Sequence, residues 1–323
     1  MNRLLDILEP DSSPVAPDTL ADRYRGALLG LAAGNALGIP VEGYPRTFIP
    51  RVHPNGVRDV APEEIARAWD DDLAQAALLA ESILECDACD LSDIAARLLA
   101  WRRENGRGIG HLTRLVLDAH ESGLPVDDAA REIWERADRN AAGNGAVMRC
   151  APVALRWRRD PVRIVSESIR SALVTHHDPR CGWSAVAVNI ALAGALAGRR
   201  ADLVALAGAL DEAGAPKSVG EAVRAVEGQP LHALHLDHDN SMGYTLKAMQ
   251  AGLWALARSD SAEAILVEIV NEGGDADTNG AVAGALLGAR DGAAAIPERW
   301  VANIPDTPRL TALADRLFER SKT

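Results

Sequence analysis

Gly273-Gly274-Asp275-Ala276-Asp277-Thr278-Asn279-Gly280 is the stretch on which the fold and its chemistry turn. Two glycines let the backbone bend sharply, and two aspartates and a threonine hydroxyl follow. An apolar helix is then expected from Ala281 to Ala289. Carboxylates at a helix start are favoured by the dipole and by the free N–H groups there. With no Lys or Arg close by in sequence, the same trio suits a hard cation, which takes oxygen ligands. A second acidic cluster, Asp70-Asp71-Asp72, stands roughly two hundred residues upstream, again directly before an apolar helix, Leu73 to Glu85. If the two clusters meet, five carboxylates share one small volume, and their repulsion requires divalent cations or raised pKa values. Two independently capped helices are the alternative.

The chain has 323 residues, 48% of them hydrophobic, enough for a substantial core in one large domain. A net charge of −12 with scattered arginines makes a nucleic-acid groove or an anionic membrane surface improbable as the main partner. Cys86, Cys89, Cys150 and Cys181 are too few for a disulfide framework, and the lone Cys86-Asp-Ala-Cys89 has no second pair for zinc. Met1 to Thr19 is polar and proline-bearing, unlike a signal peptide. Ala185–Ala197, among the most apolar runs, is too short to span a bilayer. A reduced, cytoplasmic protein is expected.

Residues 1–18 are expected to form a short helix and then a tail broken by Pro10, Pro14 and Pro17, ahead of one domain over 19–323. Beyond the tail the apolar spacing is helical almost throughout. Helices are expected at 21–38, 72–86, 91–104, 109–122, 126–138, 145–157, 160–175, 183–198, 201–213, 217–226, 242–258, 260–272, 279–291 and 308–321. No clean alternation longer than about four residues suggests a strand. The long exception is Gly43–Glu63, with Pro45, Pro50, Pro54 and Pro62, expected to be a binding loop or lid hinged at Gly43. Gly26, Gly30, Gly34 and Gly38 recur every four residues, as do Gly280, Gly284 and Gly288. Each glycine costs up to about 1 kcal/mol in a helix relative to alanine, so close packing between the two ridges is expected to compensate.

Five stretches in this order resemble the ADP-ribosylglycohydrolase family: Arg25-Gly-Ala-Leu-Leu-Gly-Leu-Ala-Ala-Gly-Asn-Ala-Leu-Gly-Ile-Pro-Val-Glu42, Asp70-Asp-Asp-Leu-Ala-Gln-Ala, Gly143-Asn-Gly-Ala-Val-Met-Arg149, Thr175-His176 and Gly273–Gly280. The resemblance runs from Tyr24 to Arg290 and implies an all-α, compact, orthogonal helical bundle with two Mg²⁺ (or Mn²⁺) ions at the bottom of a cleft. It implies Asp70, Asp71, Asp72, Asp275, Asp277 and Thr278 as metal ligands. The family's first motif reads Thr-Asp-Asp-Thr, so here Asp70 replaces the first Thr and Leu73 the last. Oxygen-only ligands agree with Mg²⁺ or Mn²⁺ rather than zinc. Glu42 matches the acidic residue placed over the cleft, and Gly143, Asn144, Gly145 and His176 match ADP-ribose contacts. Read from the residues alone, Gly143-Asn144-Gly145 is a turn feeding a helix N-terminus suited to phosphate or ribose oxygens, while His176 or His177 could equally cap a helix end. Asn35 stands where many relatives carry Asp, and Ala141 where a serine is common.

The implied activity is release of ADP-ribose from an acceptor by cleavage at the anomeric carbon, with the proton handled by Glu42 or by an upstream aspartate such as Asp71. The expected partners are ADP-ribose and an ADP-ribosylated protein or small molecule. The rivals are a metal-dependent phosphohydrolase and an ADP-ribose-binding relative without turnover. His232, His235 and His238, with Asp237 and Asp239, read as a polar loop rather than a transition-metal site. Arg107-Gly-Ile-Gly-His111 has too few glycines and no preceding strand for a dinucleotide loop.

Overall fold

The computed structural model describes residue 7, residues 15–238 and residues 242–322, so most of the expected tail and Asp239 lie outside the described residues. Among the described residues, fourteen helices longer than a single turn succeed one another: α1 (Pro17–Gly38), α2 (Asp71–Cys86), α3 (Leu91–Glu104), α4 (His111–Glu121), α5 (Val126–Arg136), α6 (Ala151–Trp157), α7 (Pro161–Leu173), α8 (Pro179–Leu196), α9 (Leu203–Ala213), α10 (Lys217–Arg224), α11 (Thr245–Ala257), α12 (Ala262–Val270), α13 (Ala276–Asp291) and α14 (Thr307–Arg320). Among the described residues no strand forms; Pro45–Gly273 and Gly143–Tyr244 make isolated antiparallel bridges. The all-α expectation is met.

Two helices form the axis of the molecule. From Gly26 to Gly38 every residue of α1 is buried, and so is every residue of α13 from Ala276 to Ala289. The glycine ridges face each other antiparallel: Gly26 meets Gly288, Gly30 meets Gly284, Gly34 meets Gly280, and Gly38 meets Ala276. A methyl group on any of these glycines would be driven into the facing backbone. The register therefore sets the C-terminus of α1, and Glu42 just beyond it, beside the N-terminus of α13. Apolar α8 and α11 pack on this axis, while α5, α7, α10 and α14 bury one face only.

Four element boundaries differ from expectation in instructive ways. α1 begins at Pro17 and α8 at Pro179, four residues earlier than expected, because a proline in the first turn loses no needed hydrogen bond. Residues 145–149, expected to be helical, form turns, and α6 starts only at Ala151 with Pro152 in its first turn. α13 starts at Ala276, so Asp277 and Thr278 belong to its first turn.

The segment Gly43–Glu63 is irregular but tied down. Gly43 N donates to Gly274 O (2.7 Å), and Gly274 N donates to Tyr44 O (2.8 Å). Val57 exchanges bonds with the Asn271 side chain, while Trp300 and Asn303 donate to Arg58 O and Val60 O. Ile49, Val57 and Val60 are buried, so the segment is packed onto the core as well as hydrogen-bonded to it.

Candidate active site

Asp70 and Asp275 occupy the N-cap positions of α2 and α13, yet neither makes a side-chain capping bond. Elsewhere Asp90, Asp160, Asp178, Asp202 and Ser261 all cap their helices through the side chain. The alternative of two independently capped helices is thereby set aside. The acidic helix starts face each other instead.

Thr278 Oγ1 donates to Asp72 Oδ2 at 3.2 Å, which joins the two clusters directly. Glu42, Asp275 and Asp277 hold carboxylate oxygens within 4.8 Å of one another. Asn35, on α1, donates from Nδ2 to Asp70 Oδ2 at 3.0 Å. Asp70 Oδ1 and Asp72 Oδ1 are buried with no hydrogen-bond partner. Burial raises Asp71, Asp72 and Asp277 well above the usual carboxylate range, and their mutual repulsion adds to it. Partial desolvation at the edge of the cluster also raises Glu42, with Asp275 and Asp70 repelling its charge and Arg107 partly offsetting them. Unlike the others, Glu42 is exposed, at the mouth of the cluster.

The residues expected to contact ligand form the adjoining wall. Asn144 N donates to Gly243 O (2.9 Å), and its Nδ2 donates to Asp275 Oδ2 at 2.5 Å, so Asn144 belongs to the acidic cluster as much as to the turn. His176 is buried and caps no helix; its ring packs on Gly143 and Gly145, where a methyl group would stand 3.1 Å from Nε2 or 2.7 Å from Cε1. Its neighbour Asp178 caps α8 and receives the Trp134 indole N–H.

Three contributors escaped the sequence reading. Arg107 is held by Glu64 (3.1 Å) and Ala68 O (2.9 Å) and brings a positive charge to the cluster, while Gly108 lies against the Asp71 carboxylate. Their only sequence trace is the glycine pair 108/110, which looks like a failed nucleotide loop. Asp237 accepts from Arg46 N (2.9 Å) and fastens the loop beyond Glu42 to the 273–274 turn. The histidine run around it does not converge: among the described residues, the His, Cys, Asp and Glu side chains with three ligand atoms in mutual reach are Glu42, Asp275 and Asp277.

The family model for ADP-ribosylglycohydrolase matches residues 16–323. The chain belongs to the ADP-ribosylglycohydrolase family. Family members hydrolytically remove ADP-ribose from acceptors, and this chain is similar along nearly its whole length to several of them. It is 30% identical to the ADP-ribosylarginine hydrolase Tri1 of Pseudomonas putida, covering 97% of this chain and 82% of that protein. It is 27% identical to the ADP-ribosyl-[dinitrogen reductase] glycohydrolase of Rhodospirillum rubrum, covering 88% and 90%. A solved ADP-ribosylglycohydrolase-related protein complex superimposes with a TM-score of 0.76 at 33% identity, over 94% of this chain and 99% of that one. No helix among the described residues is long and apolar enough to cross a membrane.

Proposed function

We propose that this ADP-ribosylglycohydrolase is a cation-dependent enzyme that cleaves the bond between the anomeric carbon of the distal ribose and an ADP-ribosylated acceptor. The observation that carries the proposal is the pair of facing acidic helix starts, with one oxygen each of Asp70 and Asp72 (Oδ1) buried and unpartnered. Burying carboxylates without compensation costs several kcal/mol each, and an all-oxygen donor set fits Mg²⁺, or Mn²⁺, best. Asp70, Asp71, Asp72, Asp275, Asp277 and Thr278 would hold two such ions. When bound they would supply positive charge that neutralises the carboxylates and orients the ribose hydroxyls.

The protein's own groups divide the remaining work. Gly143, Asn144, Gly145 and His176 form the wall that receives the phosphates and ribose of ADP-ribose. In the reaction the bond from the anomeric carbon to the acceptor breaks, a water oxygen takes its place, and the acceptor leaves with a proton. Glu42, exposed at the cluster mouth with its proton affinity raised, suits that proton transfer, with Asp71 as the upstream candidate. The names of the relatives make an ADP-ribosylated arginine side chain the first acceptor to test.

The test is incubation with ADP-ribosylated arginine, serine and nucleotide-linked acceptors, with and without Mg²⁺ or Mn²⁺, followed by product analysis. Free ADP-ribose released only with the cation is expected. Release of inorganic phosphate, or tight ADP-ribose binding without turnover of any acceptor, would overturn the proposal in favour of the phosphohydrolase or the non-catalytic binder.

A further inference from the structure

Arg149 is buried to 1% exposure, yet the hydrogen bonds it donates end on neutral acceptors. Its Nη1 reaches Gln75 Oε1 at 2.6 Å, and its Nη2 reaches Thr175 Oγ1 at 2.7 Å and Ser171 O at 3.3 Å. Its Nε is buried and unpartnered. Burial pulls the guanidinium down to about 10, so it stays charged near neutrality, favoured by the Asp71 carboxylate at longer range. A buried cation with only neutral partners is costly, so a role beyond packing is to be sought for it. Gln75 lies one turn after Asp72 on α2, and Ser171 and Thr175 lie at the corner between α7 and α8. One side chain thus couples the upstream acidic helix to the corner that carries His176.

The Thr175 hydroxyl also stands 2.7 Å from His176 Nδ1. Arg149 occupies one lone pair of that hydroxyl, and the hydroxyl has a single hydrogen to place. Donated to Nδ1, that hydrogen is satisfied, and the imidazole carries its own proton on Nε2. With the opposite tautomer, Nδ1–H and the guanidinium would both donate to Oγ1, and the buried hydroxyl hydrogen would need another acceptor. Nε2 is the atom that faces the 143–145 turn.

We propose that Arg149 is a positioning residue: acting through the Thr175 hydroxyl, it holds His176 in the tautomer protonated at Nε2 and so fixes a hydrogen-bond donor against the Gly143–Gly145 turn. That this donor serves a phosphate or ribose oxygen of ADP-ribose rests on the function proposed above. Burial, helped by the Arg149 charge, lowers the imidazole to about 3, so the donor is set by tautomer rather than by pH.

The experiment is long-range proton–nitrogen NMR of the histidine-labelled full chain, with His176 assigned by His176→Gln, together with ADP-ribose calorimetry in Mg²⁺. Wild type is expected to show His176 protonated at Nε2. Thr175→Val should shift it toward the Nδ1–H form and weaken ADP-ribose binding by about tenfold or more, the scale of one lost charge-assisted hydrogen bond. Thr175→Ser should restore both. Arg149→Met, or Arg149→Gln if the first does not fold by circular dichroism, should reproduce the tautomer shift, and an unchanged tautomer in the folded variant would overturn the role of Arg149. A wild-type His176 protonated at Nδ1, or an unchanged tautomer in Thr175→Val, would overturn the inference. An Nε2 tautomer that depends on Thr175, in a wild-type protein that does not bind ADP-ribose, would leave the positioning role standing and remove the proposed function instead.

Discussion

Glu42 is one carboxylate of the cleft that pairs exposure with a raised proton affinity, and both follow from where the backbone puts it. The turn Ile39–Val41 at the end of α1 delivers it to the cluster mouth, where partial desolvation, and then Asp275 and Asp70, make its charge unwelcome. Glu42→Gln is therefore expected to cut turnover about a hundredfold or more, the usual scale for losing a positioned acid or base, with ADP-ribose affinity by calorimetry little changed. Affinity falling in step with turnover would make it a binding residue and move the proton to Asp71. Asp277 is buried and shared between the clusters, so Asp277→Asn should weaken Mg²⁺ binding in a titration while leaving the helical circular dichroism intact. His176 gives the pH test. Its folded value lies below the unfolded one near 6.5, so the unfolded chain takes up a proton that the folded chain refuses. Its contribution is fully present above about 6.5 and is lost as pH falls toward 3. Relative to His176→Gln, wild type should lose stability over that window at up to about 1.4 kcal/mol per pH unit in denaturant titrations.

At the scale of elements, the antiparallel pair α1–α13 does what a loop could not. It brings backbone against backbone at Gly26, Gly30, Gly34 and Gly38, leaving no slack in the register that aligns Glu42 with Asp275 and Asp277. Gly34→Ala gains helix propensity of about 1 kcal/mol but forces a methyl into the Gly280 carbonyl. A net loss of about 1–3 kcal/mol or more is expected, measured as a fall in melting temperature. Gly110→Ala, where a methyl meets open space, is the control and should lose only the modest N-cap preference of glycine over alanine, less than Gly34→Ala. Equal effects of the two would mean that the glycine ridge reflects composition rather than packing. The ridge, the helix pattern and most boundaries were legible in the sequence because period and glycine spacing are local properties. Residues 145–149 were not, because apolar spacing there favours a helix, whereas the turn is tied by Asn144 to Gly243 O and Asp275 and packed against His176, all distant in sequence.

At the scale of the whole molecule, two chain segments roughly two hundred residues apart form one polyanionic site, and the fold holds them together against their repulsion. A cation that binds only the folded state relieves that repulsion by mass action. EDTA should lower the melting temperature, and Mg²⁺ should restore it with a dependence on concentration, worth about 2.7 kcal/mol at a hundred times the dissociation constant. A melting temperature indifferent to EDTA and Mg²⁺ would argue against cation binding. By itself the sequence determined the all-α class and the helix order, and it marked Asp70–Asp72, Asp275, Asp277 and Thr278 as chemically special, because unusual local residue choices before apolar helices are visible without a structure. Only the tertiary structure decided that neither Asp70 nor Asp275 caps its helix, that Asn35 holds Asp70, that the 43–63 segment is pinned at both ends, and that Arg149 and Thr175 stand behind His176. Most of these rest on contacts between side chains or turns far apart in sequence, and such contacts are fixed by which helix faces pack together, which no local pattern of residues states.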